Sequence, residues 1–126
     1  MKLQKTVKRL QKLHPKEIDL SLDRIKKLCK RLGNPEDKIK AISIVGTNGK
    51  YSTIQAMFAI LKEANIKCNI YTSPHIKNIN ERFVFDNHEL NNDELASLLE
   101  EIENTNNNEP ITFFEILTAA YFLKAS

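Results

Sequence analysis

The chain reads Gly46-Thr47-Asn48-Gly49-Lys50-Tyr51-Ser52-Thr53 directly after an apolar run at residues 41–45. A helical pattern begins near Thr53, so a turn with two glycines and one lysine connects a candidate strand to a candidate helix. Backbone N–H groups in such a turn and in the first helical turn have no partners within the helix, and they therefore attract anions. The lysine adds a point charge for outer phosphates, and a Ser or Thr hydroxyl can bind Mg²⁺. The stretch predicts a phosphate-binding loop, although glycines can also serve a tight turn alone.

The spacing differs from the common phosphate-binding pattern. That pattern has four residues between its first glycine and a Gly-Lys pair, and Ser or Thr follows at once. Here only two residues separate Gly46 from Gly49, and Tyr51 follows the lysine. The shorter Gly-Thr-Asn-Gly-Lys form resembles the loop of the Mur ligase superfamily, whose members use ATP to join amino acids to carboxylates.

Three further segments carry recognisable signatures. They run from His14 to Ile25, from Tyr71 to Phe83 and from Ile111 to Ala120. Together with residues 46–53, they are similar in order and spacing to the folylpolyglutamate synthase/dihydrofolate synthase family, one branch of the Mur ligase superfamily. The resemblance covers about Leu10 to Tyr121, which is most of the chain.

The residues themselves predict an α/β fold. The run at 41–45 is apolar almost throughout, as in a strand buried on both faces, and residues 67–72 form a second candidate strand. With a helix between them they make a right-handed βαβ unit, in which ligands bind beyond the carboxyl ends of the strands. The resemblance implies a P-loop-containing, doubly wound, mostly parallel sheet. Residues 1–126 would then be a partial N-terminal ATP-binding domain of the Mur-ligase type, without the C-terminal domain.

The resemblance also implies roles for particular residues. The expected catalytic residue is Lys50, which opposes the charge of the outer phosphates. The residues expected to bind ATP are Thr47, Asn48, Gly49, Lys50, Ser52 and Thr53. The residues expected to bind the pterin are Ile18, Asp19, Leu20, Thr112, Phe113, Phe114 and Glu115. Ser73 is the expected metal ligand. Apolar and aromatic side chains suit a flat heterocycle, and carboxylates can accept hydrogen bonds from pterin N–H groups. Without the resemblance, Ser73 is a turn hydroxyl, and Phe113 and Phe114 are core residues.

For a full-length family member, the resemblance implies ATP-dependent amide formation. ATP phosphorylates the carboxylate of dihydropteroate or the terminal glutamate of a folate, and the amino group of L-glutamate displaces phosphate from the acyl phosphate. Positioning and charge neutralisation dominate phosphoryl transfer, which suits a phosphate-binding loop. The implied ligands are ATP, Mg²⁺, L-glutamate and dihydropteroate or reduced folates. Both activities of the family use this N-terminal region, so the sequence does not show whether dihydropteroate or a folate is the preferred substrate.

The chain departs from the family in two ways. The family usually carries Gly-Ser or Gly-Thr after the lysine, whereas Tyr51 stands here, and its ring could crowd the nucleotide. The family also continues into a strand with a metal-binding glutamate and a C-terminal domain, so these 126 residues match about the first third of such an enzyme. Two alternatives remain: an inactive remnant that binds only nucleotide or folate, and an unrelated P-loop kinase or GTPase. The loop spacing and the pterin-like segments disfavour the second.

Composition indicates a globular chain. Charged residues make up 28% and hydrophobic residues 41% of the sequence, and no apolar stretch approaches the roughly 20 residues that cross a bilayer. The N-terminus lacks the apolar stretch of a secretory signal, so we expect a cytoplasmic protein. Cys29 and Cys68 are isolated, which favours small core residues over a disulfide or a metal site.

The net charge of +3 is unevenly distributed. Residues 1–40 hold 13 Lys or Arg against 5 Asp or Glu. Such an arm can bind nucleic acid, but no aromatic residues are interleaved with its basic helical stretch, so a solvated helical face is the preferred interpretation. We therefore expect no nucleic-acid or membrane partner, and a monomer for the full-length enzyme.

Periodicity and turn signals predict the remaining elements. Helices are expected over 2–13, from a Ser21 cap to Gly33, from the loop to about Ala64 and over about 93–103, with a hairpin around Asp86-Asn87. The resemblance implies a further helix over 113–125. The last helix is apolar nearly all round, so we expect it to need cover from further chain and to be exposed without it.

Overall fold

The computed structural model describes residues 1–14 and 20–126 of the chain. The predicted pterin-binding residues Ile18 and Asp19 lie outside the described residues. The elements are, in chain order, α1 (Lys2–Leu13), α2 (Asp23–Arg31), a 3₁₀ turn (Pro35–Lys38), α3 (Lys50–Glu63), β1 (Ile70–Tyr71), a second 3₁₀ turn (Ile79–Arg82), β2 (Phe83–Phe85), β3 (His88–Glu89), α4 (Asn92–Asn106) and α5 (Phe113–Ala125). They form two compact units: Met1–Ile39 with Asn91–Ser126 is unit 1, and Lys40–Leu90 is unit 2. None of the helices described is long and apolar enough to cross a membrane.

Unit 1 is a cluster of four helices around an apolar core. Helix α1 packs against α4, and α5 packs against both α2 and α4. Each helix places one apolar stripe inward at the spacing of helical turns. The buried side chains include Leu3 and Leu10 of α1, Leu28 of α2, Leu95, Leu99 and Ile102 of α4, and Ile116 and Leu117 of α5. Burial of each large aliphatic side chain contributes roughly 1.5–3 kcal/mol, so this core is the main source of stability in unit 1.

Ion pairs at the edge of this core join α1 to α4. Arg9 donates from Nη2 to Glu103 Oε1 at 2.7 Å and from Nε to Glu103 Oε2 at 3.1 Å. Lys2 Nζ lies 3.5 Å from Glu100 Oε2 on the same pair of helices. Both pairs are partly exposed, so each adds at most about 1 kcal/mol, and their main effect is to fix how α1 aligns along α4.

The helix ends follow local capping rules. The predicted bounds of α1 and α5 are confirmed. Helix α4 extends beyond the prediction at both ends. It begins at Asn92 because Asn91 and Glu94 form a capping box, in which each side chain accepts the other residue's backbone N–H, and it ends before Asn107, whose φ is 52°. The Ser21 hydroxyl accepts the Asp23 N–H at 3.2 Å, so it satisfies one donor of α2 although Leu22 occupies the cap position.

Most of one side of α5 is covered, which the sequence did not predict. Ile116, Leu117, Ala119 and Ala120 are buried, because α2 and α4 pack against this helix. Phe114, in contrast, remains 44% exposed. The expectation of missing cover is therefore wrong for the face against α2 and α4 and holds at Phe114.

Unit 2 combines α3 with an antiparallel sheet in the order β1–β2–β3. The paired residues are Ile70 with Val84, Tyr71 with Phe83, Val84 with Glu89 and Phe85 with His88. Asp86 and Asn87 have φ of 50° and 68°, the pair of left-handed residues that a type I′ hairpin turn requires. The predicted hairpin is therefore confirmed. Phe83 is fully buried, and its ring centroid lies 5.5 Å from that of Tyr71.

The predicted strand at residues 41–45 is wrong in this structure. These residues have no regular secondary structure, and Ile42 and Val45 are 72% and 89% exposed. The candidate strand at 67–72 is reduced to β1, which pairs antiparallel with β2. A strand forms only where neighbouring backbone groups complete its hydrogen bonds, and within the described residues only β1, β2 and β3 do so. What remains is helices with a small sheet, as in an incomplete α/β domain.

Candidate functional site

The predicted phosphate-binding loop ends at the start of α3. Gly49 precedes the helix with φ of 74°, in the left-handed region that glycine adopts at little cost. A Cβ at Gly49 would meet no atom within 4 Å, so the backbone angle rather than lack of space favours glycine. The Thr53 N–H donates to the Gly49 carbonyl oxygen at 2.9 Å. The N–H groups of residues 50–52 therefore have no partner inside the helix, and Gly49 has no side chain to cap them.

Side chains around this helix start suit an anion. Lys50 is half-buried, whereas Thr47, Asn48, Ser52 and Thr53 are exposed. Among the residues described, no carboxylate forms an ion pair with Lys50. Unpaired N–H donors and a lysine without a counter-ion are complementary to phosphate oxygens. Mg²⁺ keeps several waters when it accompanies such phosphates, so hydroxyl groups fit as its few protein ligands.

A single carboxylate organises the loop at residues 73–82. Glu81 accepts the backbone N–H groups of Ile76 at 2.8 Å and of Lys77 and Asn78 at 2.9 Å. Because these bonds favour the ionised form, the N–H groups of Asn78, Ile76 and Lys77 lower the pKa of the Glu81 carboxyl to about 2. The loop therefore contains a carboxylate that stays charged well below neutral pH.

A second contact closes the same loop. Arg82 Nε donates to His75 Nδ1 at 2.9 Å, and the Arg82 carbonyl oxygen accepts the Thr72 N–H at 3.2 Å. Burial lowers the pKa of His75, and the Arg82 charge lowers it further, while Glu81 opposes both effects. His75 is consequently a neutral acceptor at pH 7.

Ser73, the predicted metal ligand, begins this loop two residues after β1. It is exposed, and the Ser73–Pro74 peptide is cis. Over residues 1–14 and 20–126, no group of three or more His, Cys, Asp or Glu side chains could hold a metal ion. Within the same residues, no hydrogen bond or ion pair joins this loop to residues 46–53. Metal binding by Ser73, and a single site made of both loops, stay predictions.

The second predicted site lies in unit 1, at the start of α5. Thr112 and Glu115 form a capping box: Thr112 Oγ1 accepts the Glu115 N–H at 3.1 Å, and Glu115 Oε1 accepts the Thr112 N–H at 3.0 Å. Arg24 of α2 donates from Nε to the same Glu115 oxygen at 3.0 Å. Glu115 Oε1 thus already has two donors within the protein. Hydrogen bonding of Glu115 to a pterin stays a prediction.

The apolar residues of this predicted site are accessible. Leu20 is 93% exposed and Phe114 44% exposed, and Phe113 is half-buried. The interpretation as a plain core residue is therefore wrong for Phe114, whereas the half-buried Phe113 does not contradict it. Exposed apolar side chains close to helix starts can contact a flat heterocycle.

A shallow groove elsewhere in unit 1 contains none of the predicted site residues. Its volume is about 170 Å³, and it is lined by Asp23, Arg24, Lys27, Leu28, Arg31, Asn106, Glu109 and Pro110. Arg31 Nη1 donates to the Asn106 carbonyl oxygen at 2.9 Å, and Lys27 Nζ lies 3.5 Å from Glu109. Its charged groups are thus largely engaged with each other.

Sequence reasoning missed Glu81 and Arg24, and for Glu115, a predicted pterin-binding residue, it missed the capping role. Glu81 and Glu115 each stand three positions after Asn78 and Thr112, which is the spacing of a capping box and could have identified them. Arg24 gave no such signal, because its partner Glu115 is distant in the chain and basic residues are common in α2.

Comparisons with known proteins give one consistent family. The chain is 38% identical over 109 residues to the dihydrofolate synthase/folylpolyglutamate synthase of Bacillus subtilis, a match to 81% of this chain and 25% of the relative. Its fold is similar to that of Escherichia coli FolC in complex with DHPP and ADP, with a TM-score of 0.87 and 31% identity over 96% of this chain and 29% of that one. A bifunctional folylpolyglutamate synthase/dihydrofolate synthase with Mn, AMPPNP and L-glutamate bound has a TM-score of 0.85 and 30% identity, over 98% and 30% of the two chains.

The chain shares the fold class of these relatives but is much shorter than they are. No protein-family model matches the chain. The chain spans about a quarter of the length of the curated relatives it matches. The structural neighbours have Mur-ligase-type ATPase domains, so the predicted fold class is confirmed. By sequence and by fold, the chain belongs to the folylpolyglutamate synthase/dihydrofolate synthase family and matches the N-terminal portion of its members.

Proposed function

We propose that this chain is the nucleotide-binding part of an ATP-dependent ligase that adds L-glutamate to dihydropteroate or to a reduced folate. The observation that carries the proposal is the start of α3, where Lys50 and backbone N–H groups without partners in the helix follow the left-handed Gly49. Two relatives with this fold support it, since one was solved with DHPP and ADP and another with Mn, AMPPNP and L-glutamate. Residues 1–126 are proposed to form one partial ATP-binding domain.

In this proposal the chain's own residues position phosphate groups. The N–H groups of residues 50–52 and the loop residues Thr47 and Asn48 surround the phosphates, and Lys50 neutralises their outer charge. The hydroxyl of Ser73 is the proposed oxygen ligand on this chain for Mg²⁺, and the hydroxyls of Ser52 and Thr53 are proposed to contact the ATP phosphates at the helix start. When bound, ATP with Mg²⁺ supplies the phosphoryl group that converts the substrate carboxylate to an acyl phosphate, from which the amino group of L-glutamate displaces phosphate.

The remaining parts of the proposal concern partners and location. We propose a cytoplasmic protein that is monomeric in its full-length form and has no nucleic-acid or membrane partner. Both cysteines, Cys29 and Cys68, are free thiols, as is usual in a reducing compartment. Burial raises the pKa of the Cys29 thiol to about 12, with smaller contributions from Glu36, so this cysteine stays protonated.

A second candidate is nucleotide binding without bond formation. The observation that favours it is Tyr51, which is 68% exposed at the second residue of α3, beside the N–H groups that would bind phosphate. Its ring could occupy space that the nucleotide needs. A chimera in which this chain replaces the matching 109 residues of the Bacillus subtilis synthase distinguishes the two candidates. Glutamylated product supports the ligase, and nucleotide binding without product supports the second candidate. Family membership excludes the unrelated P-loop kinase or GTPase.

Calorimetric titration of the chain with MgADP tests the nucleotide site directly. We expect Lys50→Ala to raise the Kd roughly 10- to 150-fold, because a hydrogen bond to a charged group contributes about 1.5–3 kcal/mol. Lys62→Ala is the matched control, since Lys62 lies exposed in the last turn of the same helix.

The control should bind MgADP like the unaltered chain. Equal weakening by both substitutions would show a general loss of positive charge rather than a site at Lys50. Absence of MgADP binding by the unaltered chain would refute the nucleotide part of the proposal.

A further inference from the structure

Arg24 connects two segments of unit 1 that are distant in the sequence. It is the second residue of α2, and its Nε donates to Glu115 Oε1 of α5 at 3.0 Å. Its Nη2 also lies 3.5 Å from the carbonyl oxygen of Ser21. The Arg24 and Glu115 side chains are only 19% and 10% exposed. One guanidinium group therefore contacts both the start of α2 and the first turn of α5.

Glu115 transmits this contact to the start of α5. The oxygen that accepts from Arg24 also accepts the Thr112 N–H, and Thr112 in turn accepts the Glu115 N–H. Thr112 is 2% and Glu115 7% exposed, so solvent competes little with these bonds. Because one carboxylate oxygen serves both the cap and the ion pair, a shift of Arg24 displaces the first turn of α5.

The contacts of Arg24 with Ser21 and Glu115 lie next to exposed apolar residues. Ser21 directly follows Leu20, which is 93% exposed, and Glu115 directly follows Phe114, which is 44% exposed. Leu20 and Phe114 are both residues that we expect to contact the pterin ring. We therefore infer that the distance between Leu20 and Phe114 depends on the Arg24–Glu115 ion pair.

We propose that Arg24 is a positioning residue, whose guanidinium holds the chain after Leu20 against the first turn of α5 and so sets the gap that receives a pteridine ring. The inference rests on the proposed function, because it takes dihydropteroate or a folate as the ligand. A partly buried ion pair often adds little net stability, and its geometric requirements make it suited to fixing the relative placement of two segments.

The test uses two variants that keep most local structure. Glu115→Gln retains an acceptor for the Thr112 N–H, because glutamine also serves in capping boxes, but it removes the ion pair. Arg24→Lys retains the charge but loses the planar fork. The matched control is Glu103→Gln, which removes another Arg–Glu pair of unit 1, 2.7 Å long and formed between α1 and α4 rather than between α2 and α5.

Two affinities are measured for each full chain by calorimetry, with dihydropteroate and with MgADP as separate ligands, at a temperature where every variant is folded. We expect Glu115→Gln and Arg24→Lys to raise the Kd for dihydropteroate at least fivefold and to leave the Kd for MgADP unchanged. Glu103→Gln should leave both constants unchanged. This pattern supports positioning, because a loss of general stability would not act on one ligand alone.

Three results would overturn the inference. One is an unchanged dihydropteroate Kd in folded Arg24→Lys and Glu115→Gln, and another is equal weakening by Glu103→Gln. A third is that the unaltered chain binds MgADP but not dihydropteroate. This result would refute the proposed pterin-binding gap without contradicting the proposed nucleotide site. Binding of neither ligand refutes the proposed function and the inference together.

Discussion

Replacement of Gly49 by alanine tests whether the start of α3 has the backbone that phosphate binding needs. Gly49 has φ of 74°, and an added Cβ would meet no atom within 4 Å. No steric contact therefore contributes, and the cost arises from the left-handed backbone alone. That cost is about 1–2 kcal/mol for a residue with a Cβ. Gly49→Asn should cost less, because asparagine tolerates this conformation better than alanine.

Gly33 provides a matched control in unit 1. Its φ is 88°, it follows the end of α2, and an added Cβ there would also meet no atom within 4 Å. Gly33→Ala should therefore reduce the free energy of unfolding by a similar amount. The substitution should not change the affinity for MgADP, because Gly33 is outside the loop at 46–53.

Nucleotide affinity separates the two glycines. Strain at Gly49 can relax only by rotating the peptide groups next to it, which redirects the N–H groups of residues 50–52. We expect Gly49→Ala to raise the Kd for MgADP at least threefold in calorimetry, with Gly49→Asn intermediate and Gly33→Ala unchanged. Urea unfolding followed by circular dichroism gives the stability of each variant. Undiminished stability of Gly49→Ala would refute the positive φ, and equal Kd values for all variants would refute this helix start as the phosphate site.

Two further predictions concern the sheet and loop of unit 2. Phe83→Ala should reduce the free energy of unfolding by about 3–5 kcal/mol, because Phe83 is fully buried and packs on Tyr71. A loss below about 1 kcal/mol in urea unfolding would contradict this packing. The pKa of Glu81 is lowered from 4.5 to about 2, so its stabilisation of the loop is complete above pH 4.5 and is lost as the pH falls from 4.5 toward 2. Protection of the Lys77 amide from hydrogen exchange should decline over this pH range, and Glu81→Gln should remove that pH dependence. Constant protection down to pH 2 in the unaltered chain would argue against the hydrogen bond from the Lys77 N–H to Glu81.

Local signals in the sequence predicted much of the fold. The Asp86-Asn87 pair fixed the hairpin, because few residues accept two consecutive left-handed angles. Helical periodicity placed α1 at about residues 2–13, and the family resemblance implied a helix over 113–125; both match the structure. Four apolar residues at helical spacing on α3 are half-buried, whereas most of the helix is exposed: Ile54, Met57, Phe58 and Leu61. In each case the information lies within a few neighbouring positions.

Features that depend on distant partners could not be predicted in this way. The run at 41–45 has the composition of a buried strand, but composition does not specify a neighbouring strand, and all of these residues except the half-buried Ile44 are exposed. The contact of Arg24 with Glu115 joins residues 91 positions apart, and no local pattern distinguishes Arg24 from other basic residues of α2. In the candidate site, the glycine turn and helix start were evident from the sequence, whereas the network that supports Thr112 was not.

The discontinuity of unit 1 has a consequence for folding during synthesis. Helices α1 and α2 leave the ribosome well before their partners α4 and α5, because all of unit 2 is translated between them. Contacts such as that of Arg9 with Glu103 must then close a long loop, whose entropic cost grows with length and slows folding. The hairpin of unit 2 needs only adjacent residues and can form earlier. We therefore expect the hairpin of unit 2 to form in the nascent chain before the helices of unit 1 pack together. The apolar faces of α1 and α2 should stay exposed until α5 is complete.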